Sequence, residues 1–313
     1  MSFSKEVKEE LSKHSSMSRH CNIAEIAAII SLCGRIVISE RNNYSVKIRS
    51  ENIALARKYF TLLKKTFNII AEITIKQNLN VTKSRTYTIT VNKHNDAMRI
   101  LQASKLLNEY GEIEENMSAS NVVIMNQCCK RAFIRGAFLA VGSISTPEKN
   151  YHLEIVCNTI EKAEQLSRII NSFEIESKIV ERKRHFVVYI KEGSSIVDIL
   201  NVMEAHVALM NLENVRILKE MRNSVNRKVN CETANINKTV AAAVKQIEDI
   251  EYIRDTMGFS NLPSQLREMA EVRLNNPDAS LKELGGLLSP AVGKSGVNHR
   301  LRKLSNIADE LRG

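Results

Sequence analysis

Two stretches of the chain carry nearly unbroken runs of small and apolar residues, and each run is closed by a glycine and a short strand. The first run covers residues 26–36 and the second covers residues 134–144. Apolar runs without turn residues favour buried helices. Gly34 and Gly142 occupy equivalent places in the two runs and lie 108 residues apart, which indicates an internal repeat.

The elements that follow the two runs also correspond. Apolar and polar residues alternate at 44–49 and at 151–156, which is typical of strands with one buried face. Each copy then predicts an amphipathic helix, two strands and a closing helix. These lie at 52–67, 70–76, 86–91 and 95–107 in the first copy and at 159–173, 177–180, 185–190 and 195–210 in the second. We therefore predict an α+β domain over residues 1–212, with repeats at about 15–110 and 125–212. Two helices that merely look alike are the alternative.

The two runs also indicate how the repeats would pack. Their small side chains would let two helix backbones approach closely, and the glycines would take the left-handed conformation that ends a helix. In this respect the sequence resembles the LAGLIDADG homing endonucleases, in which the last Asp of each motif holds catalytic metal ions. Cys33 and Val141 stand at those positions here. The resemblance implies the endonuclease fold without its activity, so we expect a protein with no catalytic residues.

The polar face of the first repeat's leading strand is a candidate binding surface. Ser45, Lys47 and Arg49 alternate there with apolar residues, and the two cations suit phosphate groups. The matching face of the second repeat carries His152 and Glu154, which suit DNA less well. A solvated face or a surface for a protein partner would give the same pattern, and these alternatives stay open.

A polar, basic segment at 213–238 joins this domain to the rest of the chain. Its first half has helical spacing, and asparagines are dense beyond it. Arg222, Arg227 and Lys228 are either solvated residues of an ordinary linker or parts of an arm that touches DNA phosphates.

The remaining residues, 239–313, predict an all-helical module. Helices are expected at 239–257 and at 263–275, and Pro263 stands in the first turn of the second helix, where proline is favoured. Periodic apolar residues continue beyond these helices, so the module extends to the end of the sequence.

Within this module the chain predicts a helix-turn-helix. Ser280 and Glu283 have the spacing of a capping box, which marks a helix start, and Gly285 would let another helix cross close by. The turn 289–292 contains a proline, which breaks the helix. A second helix is expected at 294–307.

The second helix of the motif separates apolar from basic residues. Val297, Leu301 and Leu304 share one face at helical spacing. Such a helix can enter the major groove, where polar residues read base edges and basic residues hold phosphates. The predicted DNA-binding residues are Lys294, Ser295, Asn298, His299, Arg300, Arg302 and Lys303.

Composition adds a charge argument and several exclusions. The chain has 45 Lys+Arg against 35 Asp+Glu, a net charge of +10, which suggests a polyanionic partner. Its six cysteines form no CxxC pair, so reduced structural thiols are expected, without a metal or cofactor. The N-terminus has no apolar leader, and no segment reaches the length of a membrane span. We expect a cytoplasmic, nucleoid-associated protein that binds double-stranded DNA and no membrane.

A degenerate LAGLIDADG duplication joined to a helix-turn-helix resembles the WhiA family of bacterial regulators. The most specific matches are RGAFLA at 135–140, NCETAN at 230–235 and KSGVNHRLRKL at 294–304. The resemblance implies sequence-specific DNA binding, a role in sporulation, and a role in cell division and chromosome segregation.

Two functions from different classes follow. The first is a non-catalytic transcriptional regulator whose duplicated domain adds affinity or binds a regulatory protein. The second is an adaptor or scaffold of the division machinery in which DNA binding is secondary. The target sequence, the direction of regulation, the oligomeric state and any small effector stay open.

Overall fold

The computed structural model describes residues 2–40, 42–77, 85–108, 112–113 and 118–313. The chain divides into two units, Met1–Lys219 and Glu220–Gly313. The predicted domain start at residue 1 and the predicted end of the first repeat near residue 110 lie outside the described residues.

The first unit contains the two repeats that the sequence predicts. Both sheets have four antiparallel strands in the same spatial order, first, second, fourth, third, which confirms the duplicated α+β fold. The first repeat comprises α2 (Arg19–Cys33), β1 (Gly34–Ile38), β2 (Tyr44–Ser50), α3 (Ile53–Phe67), β3 (Glu72–Gln77), β4 (Arg85–Val91) and α4 (His94–Ala103). The second comprises α5 (Gln127–Val141), β5 (Gly142–Ile144), β6 (Leu153–Cys157), α6 (Ile160–Asn171), β7 (Lys178–Arg182), β8 (His185–Ile190) and α7 (Gly193–Met203).

A helix that the sequence analysis did not predict, α1 (Phe3–Lys13), precedes the repeats. Phe3, Val7 and Leu11 lie four residues apart on one face and are buried in the main core. The dense charges between them hide this spacing from a reading of overall hydrophobicity.

Helices α2 and α5 pack at close range, as their small residues predict. A Cβ atom added at Gly136 would lie 2.6 Å from the backbone oxygen of Glu25 and 3.1 Å from the Cβ of Ala28. The backbone of α5 therefore lies against that of α2 with no room for a side chain at this point.

The predicted left-handed glycines are wrong. Gly34 and Gly142 have φ of −80° and −79° with ψ near 150°, so both are extended and pass directly into strands. Glycine is needed there for space. An added Cβ would lie 2.5 Å from the Ile30 oxygen in the first case and 2.5 Å from Cδ2 of Phe138 in the second.

Charged side chains are buried beside this helix contact. Glu25 and Arg135 are both inaccessible to solvent, and Arg135 Nε lies 3.4 Å from Glu25 Oε2. Lys58 Nζ approaches the other oxygen of Glu25 at 3.3 Å. Burial raises the pKa of Glu25, and the charges of Arg135 and Lys58 oppose that rise. Removing one partner of a buried ion pair costs roughly 3–5 kcal/mol, so these residues depend on one another.

The single closing helix predicted at 195–210 is instead two helices. The first, α7, ends at Met203, and Glu204 takes a left-handed conformation with φ of 65°. The carboxylate of Glu204 accepts a hydrogen bond from Arg135 at 2.6 Å and lies 2.6 Å from His14 Nε2. A tertiary ion pair therefore overrides the helical pattern at this residue.

The segment predicted as a linker, 213–238, lies inside one long helix. This helix, α8 (His206–Thr256), contains no glycine or proline over its 51 residues, so nothing in the sequence interrupts it. The start predicted at residue 239 is therefore wrong. Its residues up to Lys219 belong to the first unit, and those from Glu220 onward belong to the second.

The second unit completes its core with three further helices: α9 (Ser264–Asn275), α10 (Leu281–Gly286) and α11 (Lys294–Arg312). Side chains from all four helices fill this core, among them Ile253, Met269, Leu284 and Leu301. Within the described ranges, no helix has the length and apolar character to cross a bilayer.

We expect Gly136→Ala to destabilise the first unit by about 1–3 kcal/mol, because the new methyl group would overpack the contact between α2 and α5. Denaturant unfolding measures the loss. Gly193→Ala is the matched control, since an added Cβ there meets its nearest neighbour, Tyr151, at an ordinary 3.4 Å. Equal stability of the two variants would contradict the close packing.

Candidate nucleic-acid interface

The helix-turn-helix begins at the predicted capping box. The Glu283 backbone N–H donates to Ser280 Oγ at 3.4 Å, and the Ser280 N–H donates to Glu283 Oε2 at 2.8 Å. Both bonds satisfy amide groups that a helix start otherwise leaves unpaired. The capping box therefore defines the first residue of α10.

Gly285 sets how tightly the turn packs on α10. The Val292 N–H donates to the Gly285 oxygen at 2.9 Å. A Cβ added at Gly285 would lie 2.1 Å from the Val292 oxygen and 3.2 Å from Cγ2 of Val297 on α11. The small residue thus admits the backbone of the turn, and the second helix follows close behind.

The two faces of α11 are separated as predicted. Val297, Leu301 and Leu304 are buried in the core of the second unit. Five of the predicted DNA-binding residues are exposed, namely Lys294, Ser295, His299, Arg302 and Lys303. Asn298 is half-buried at the margin of this face. The exposed part of α11 therefore presents polar and basic groups without an acidic one up to Leu304.

Arg300 differs from the other predicted residues because it points towards α9. Its side chain is only 15% exposed, and its NH1 lies 3.8 Å from Glu268 Oε2. The other oxygen of Glu268 accepts the Ser289 backbone N–H at 2.7 Å. Glu268 thus connects α9 to both the turn and α11. The sequence analysis missed this residue, since nothing in its local pattern signals a partner 21 or 32 positions away.

The predicted phosphate contacts outside the motif are all exposed. Arg222, Arg227 and Lys228 lie on α8, and Lys47 and Arg49 lie on β2. The two sets belong to different units of the chain.

The outer face of the first sheet gathers cations from neighbouring strands. Lys47 is opposite Arg35 on β1 and opposite Thr90 on β4, while Arg49 is opposite Thr88. Directly opposite residues on one sheet face have Cβ atoms about 5 Å apart. Arg35, which the sequence analysis did not select, therefore extends the basic surface of Lys47 and Arg49.

The corresponding face of the second sheet is organised around an acid. Glu154 Oε2 lies 3.2 Å from His152 Nε2 and 3.2 Å from Arg182 NH1, and its other oxygen accepts from Ser143 at 3.1 Å. Its neighbours thus hold this carboxylate in place. This arrangement agrees with the expectation that the second repeat suits DNA less well.

The positions that carry catalytic acids in active LAGLIDADG enzymes lie at the ends of α2 and α5. The Cys33 thiol donates to the Ile29 oxygen at 3.2 Å. Burial raises the pKa of Cys33 to about 12 and lowers that of nearby Lys8 to about 8. Val141, its counterpart, is partly buried against the core.

The structure brings together one group of residues that the sequence analysis did not select. His20, Cys21, Cys128 and Cys129 place their ligand atoms within 4.8 Å of one another. The signal was present in the repeat itself, because the spacing between the two glycines also relates the two dipeptides.

A duplicated LAGLIDADG-like domain followed by a helix-turn-helix defines a class of DNA-binding proteins that pairs an endonuclease-like fold with a separate reading module. Three family models match the chain in that order. The WhiA N-terminal LAGLIDADG-like domain matches residues 19–107, the WhiA LAGLIDADG-like domain matches 130–222, and the WhiA C-terminal HTH domain matches 225–308. The chain belongs to the WhiA family.

Relatives and a solved structure support this assignment over the whole length. The chain is 57% identical to the probable cell division protein WhiA of Lachnoclostridium phytofermentans, with 100% of both chains covered. It is 50% identical to that of Alkaliphilus oremlandii, covering 99% and 98% of the two chains. The crystal structure of full-length DUF199/WhiA from Thermotoga maritima matches with a TM-score of 0.61 at 27% identity, covering 99% of each chain.

Substitution at two neighbouring glycines tests the geometry of the turn. We expect Gly285→Ala to destabilise the second unit by about 1–3 kcal/mol, because its methyl group collides with the Val292 carbonyl. Gly286→Ala is the control, since an added Cβ there meets nothing within 4 Å and alanine favours helix. Thermal unfolding of the full chain measures both. A Gly285 variant as stable as the Gly286 variant would show that the turn packs elsewhere.

Proposed function

We propose that this chain is a non-catalytic transcriptional regulator that binds specific DNA sequences through α11. The observation that carries the proposal is the exposed, acid-free face of that helix, set on a buried apolar face that fixes its direction. A helix of this kind in a helix-turn-helix enters the major groove with its N-terminal residues next to base edges.

The residues divide by position along α11. Ser295, Asn298 and His299 lie near its start and would read base edges. Lys294, Arg302 and Lys303 would hold phosphates or guanine. Arg300 would act through Glu268, by keeping α11 and the turn in place.

Additional affinity would come from cations outside the motif. We assign phosphate contacts to Lys47 and Arg49 on the first sheet and to Arg222, Arg227 and Lys228 on α8. Such contacts add affinity that falls steeply with salt and carry no sequence information.

The absence of catalysis is part of the proposal. Metal-dependent phosphodiester cleavage needs carboxylates that bind the ion and activate water. A thiol with a pKa of about 12 at Cys33 and an isopropyl group at Val141 supply neither. Lys8, close to Cys33, adds a cation where the enzyme would need a metal ion.

The names of the relatives suggest the process that the regulator serves. They are called probable cell division proteins. We propose a link to cell division and chromosome segregation, and to sporulation in hosts that sporulate, with the protein associated with the nucleoid.

A genome-wide occupancy map in the host tests the regulator. Wild type should give sharp peaks at promoters, and Arg302→Ala should lose them. Lys245→Ala, which removes one exposed charge from α8 in the same unit, is the matched control and should keep them. Diffuse occupancy that is the same in all three would reject α11 as the reader.

DNA from those peaks then separates base reading from phosphate binding. If Arg302 contacts a base, its loss should cost about 1–3 kcal/mol on the specific site, and Arg302→Lys should not restore it. If Arg302 contacts a phosphate, Arg302→Lys should restore binding, and Arg302→Ala should reduce the slope of log affinity against log salt by about one.

An adaptor in the division machinery is the second candidate. It is favoured by apolar side chains that the second unit leaves about half exposed on one side of α8, namely Met221, Val225, Val229, Ile236, Val240 and Val244. Apolar surface in such a row is typical of a protein-binding site.

Variants of this row test the adaptor. We expect Val225→Glu/Val229→Glu to remove cross-links between the chain and a division protein in the host while leaving promoter peaks in place. Asn223→Glu/Ala234→Glu places the same charges on the opposite side of α8 and is the control. Cross-links that survive the first variant would reject this surface.

A further inference from the structure

Four metal-ligating side chains meet where α2 and α5 begin. His20 and Cys21 lie in the first turn of α2, and Cys128 and Cys129 lie in the first turn of α5. His20 Nδ1 is 3.2 Å from Cys129 Sγ, 3.4 Å from Cys21 Sγ and 4.0 Å from Cys128 Sγ. All four ligand atoms fall within 4.8 Å of one another.

The duplication accounts for this meeting. His20 and Cys128 are 108 residues apart, as are Cys21 and Cys129, and the same spacing relates the two repeats throughout. Each repeat therefore contributes one dipeptide from the same place in its own fold. Each dipeptide also has one exposed and one buried member, His20 and Cys128 being exposed and Cys21 and Cys129 buried.

The spacing of the atoms suits one small tetrahedral ion. Zinc binds thiolate sulfur at about 2.3 Å and imidazole nitrogen at about 2.0–2.1 Å, which in a tetrahedron places the ligand atoms about 3.6–3.8 Å apart. The observed separations lie on both sides of these values. Three cysteines and one histidine are also a common ligand set of structural zinc sites.

The surrounding structure gives such an ion a physical role. The core between the starts of α2 and α5 is a small cluster apart from the main core, made of Cys21, Ala24, Ala27, Val123, Cys129 and Ala132. Small side chains bury little apolar area, so they stabilise this end weakly. A metal bond between the helices would supply what the packing lacks.

The helix ends also suit the charge of the complex. One Zn²⁺ with three thiolates and a neutral imidazole carries a net charge of −1. The starts of two helices carry partial positive charge, which favours an anionic group there. Thiolates are favoured at helix N-termini for the same reason.

We propose that His20, Cys21, Cys128 and Cys129 bind one zinc ion that joins the two repeats of the N-terminal unit. With four protein ligands the site is closed and structural. It also lies twelve residues along α2 from Cys33, or about 18 Å at the helical rise, so it is separate from the place of the lost catalytic acids.

Metal content and cobalt spectroscopy of the full-length chain test the site directly. Purified under reducing conditions, the chain should hold one zinc per molecule, removable with a chelator and restored by zinc alone. Cobalt(II) added to the apo-protein should give the intense visible bands of a tetrahedral ion together with thiolate-to-cobalt charge transfer. Octahedral cobalt spectra, or no ion at stoichiometric concentration, would overturn the proposal.

Substitution of the exposed ligands separates binding from folding. Cys128→Ser and His20→Ala change exposed side chains, so both variants should fold. Loss of a supporting hydrogen bond weakens metal sites roughly 10–100-fold, and loss of a ligand should weaken zinc binding by more than that. Cys128→Ser should also reduce the charge-transfer intensity by about a third, because one of three thiolates is gone.

Control cysteines lie outside the cluster. Cys231→Ser changes an exposed thiol on α8, and Cys157→Ser changes a buried thiol in β6. Both variants should bind zinc as the wild type does, and zinc should raise the unfolding temperature of the first unit in them. Equal zinc affinity of Cys128→Ser and wild type would reject the site. A mass loss of two hydrogens in the reduced-buffer preparation would indicate a disulfide instead, and iron with acid-labile sulfide would indicate a cluster instead.

Discussion

The first unit depends on the contact between α2 and α5, where the backbone at Glu25 lies against Gly136. No side chain fits between the two helices at that point. The close approach seals Glu25 away from water, and a buried carboxylate is costly unless cations meet it. Arg135 and Lys58 provide those cations, and Arg135 in turn binds Glu204. The ion pair at Glu204 ends α7, so a steric constraint in the centre determines where the next helix begins.

Local patterns predicted the parts of this structure that local physics determines. The duplicated order of helices and strands follows from periodicity, and the capping box at Ser280 and Glu283 follows from spacing alone. Both are decided within a few residues of chain. The absence of glycine and proline from α8 was equally local evidence, yet dense asparagines favoured a linker. Asparagine is only moderately unfavourable in helices, and a long helix tolerates it.

Features that depend on distant partners could not be predicted in this way. The helix break at Glu204 requires Arg135, and the orientation of Arg300 requires Glu268. Gly34 and Gly142 were correctly selected for their role at the helix ends, but their reason is lack of space and not backbone conformation. In the candidate site, the apolar face of α11 could be predicted and the inward turn of one basic residue could not. The four metal-ligating residues needed the repeat spacing to be applied beyond the glycines.

The two ends of the central helix pair have opposite electrostatic preferences. The C-terminal ends of helices carry partial negative charge, so carboxylates are tolerated there when a metal ion neutralises them. With Cys33 and Val141 at those ends, neither repeat brings an anion that would need an ion, and Lys8 beside Cys33 would repel one. The N-terminal ends favour anionic ligands, and there the chain places three thiols and an imidazole. The same duplicated fold can thus lose a cation at one end and gain one at the other, with the charge of the helix ends deciding which residues are tolerated.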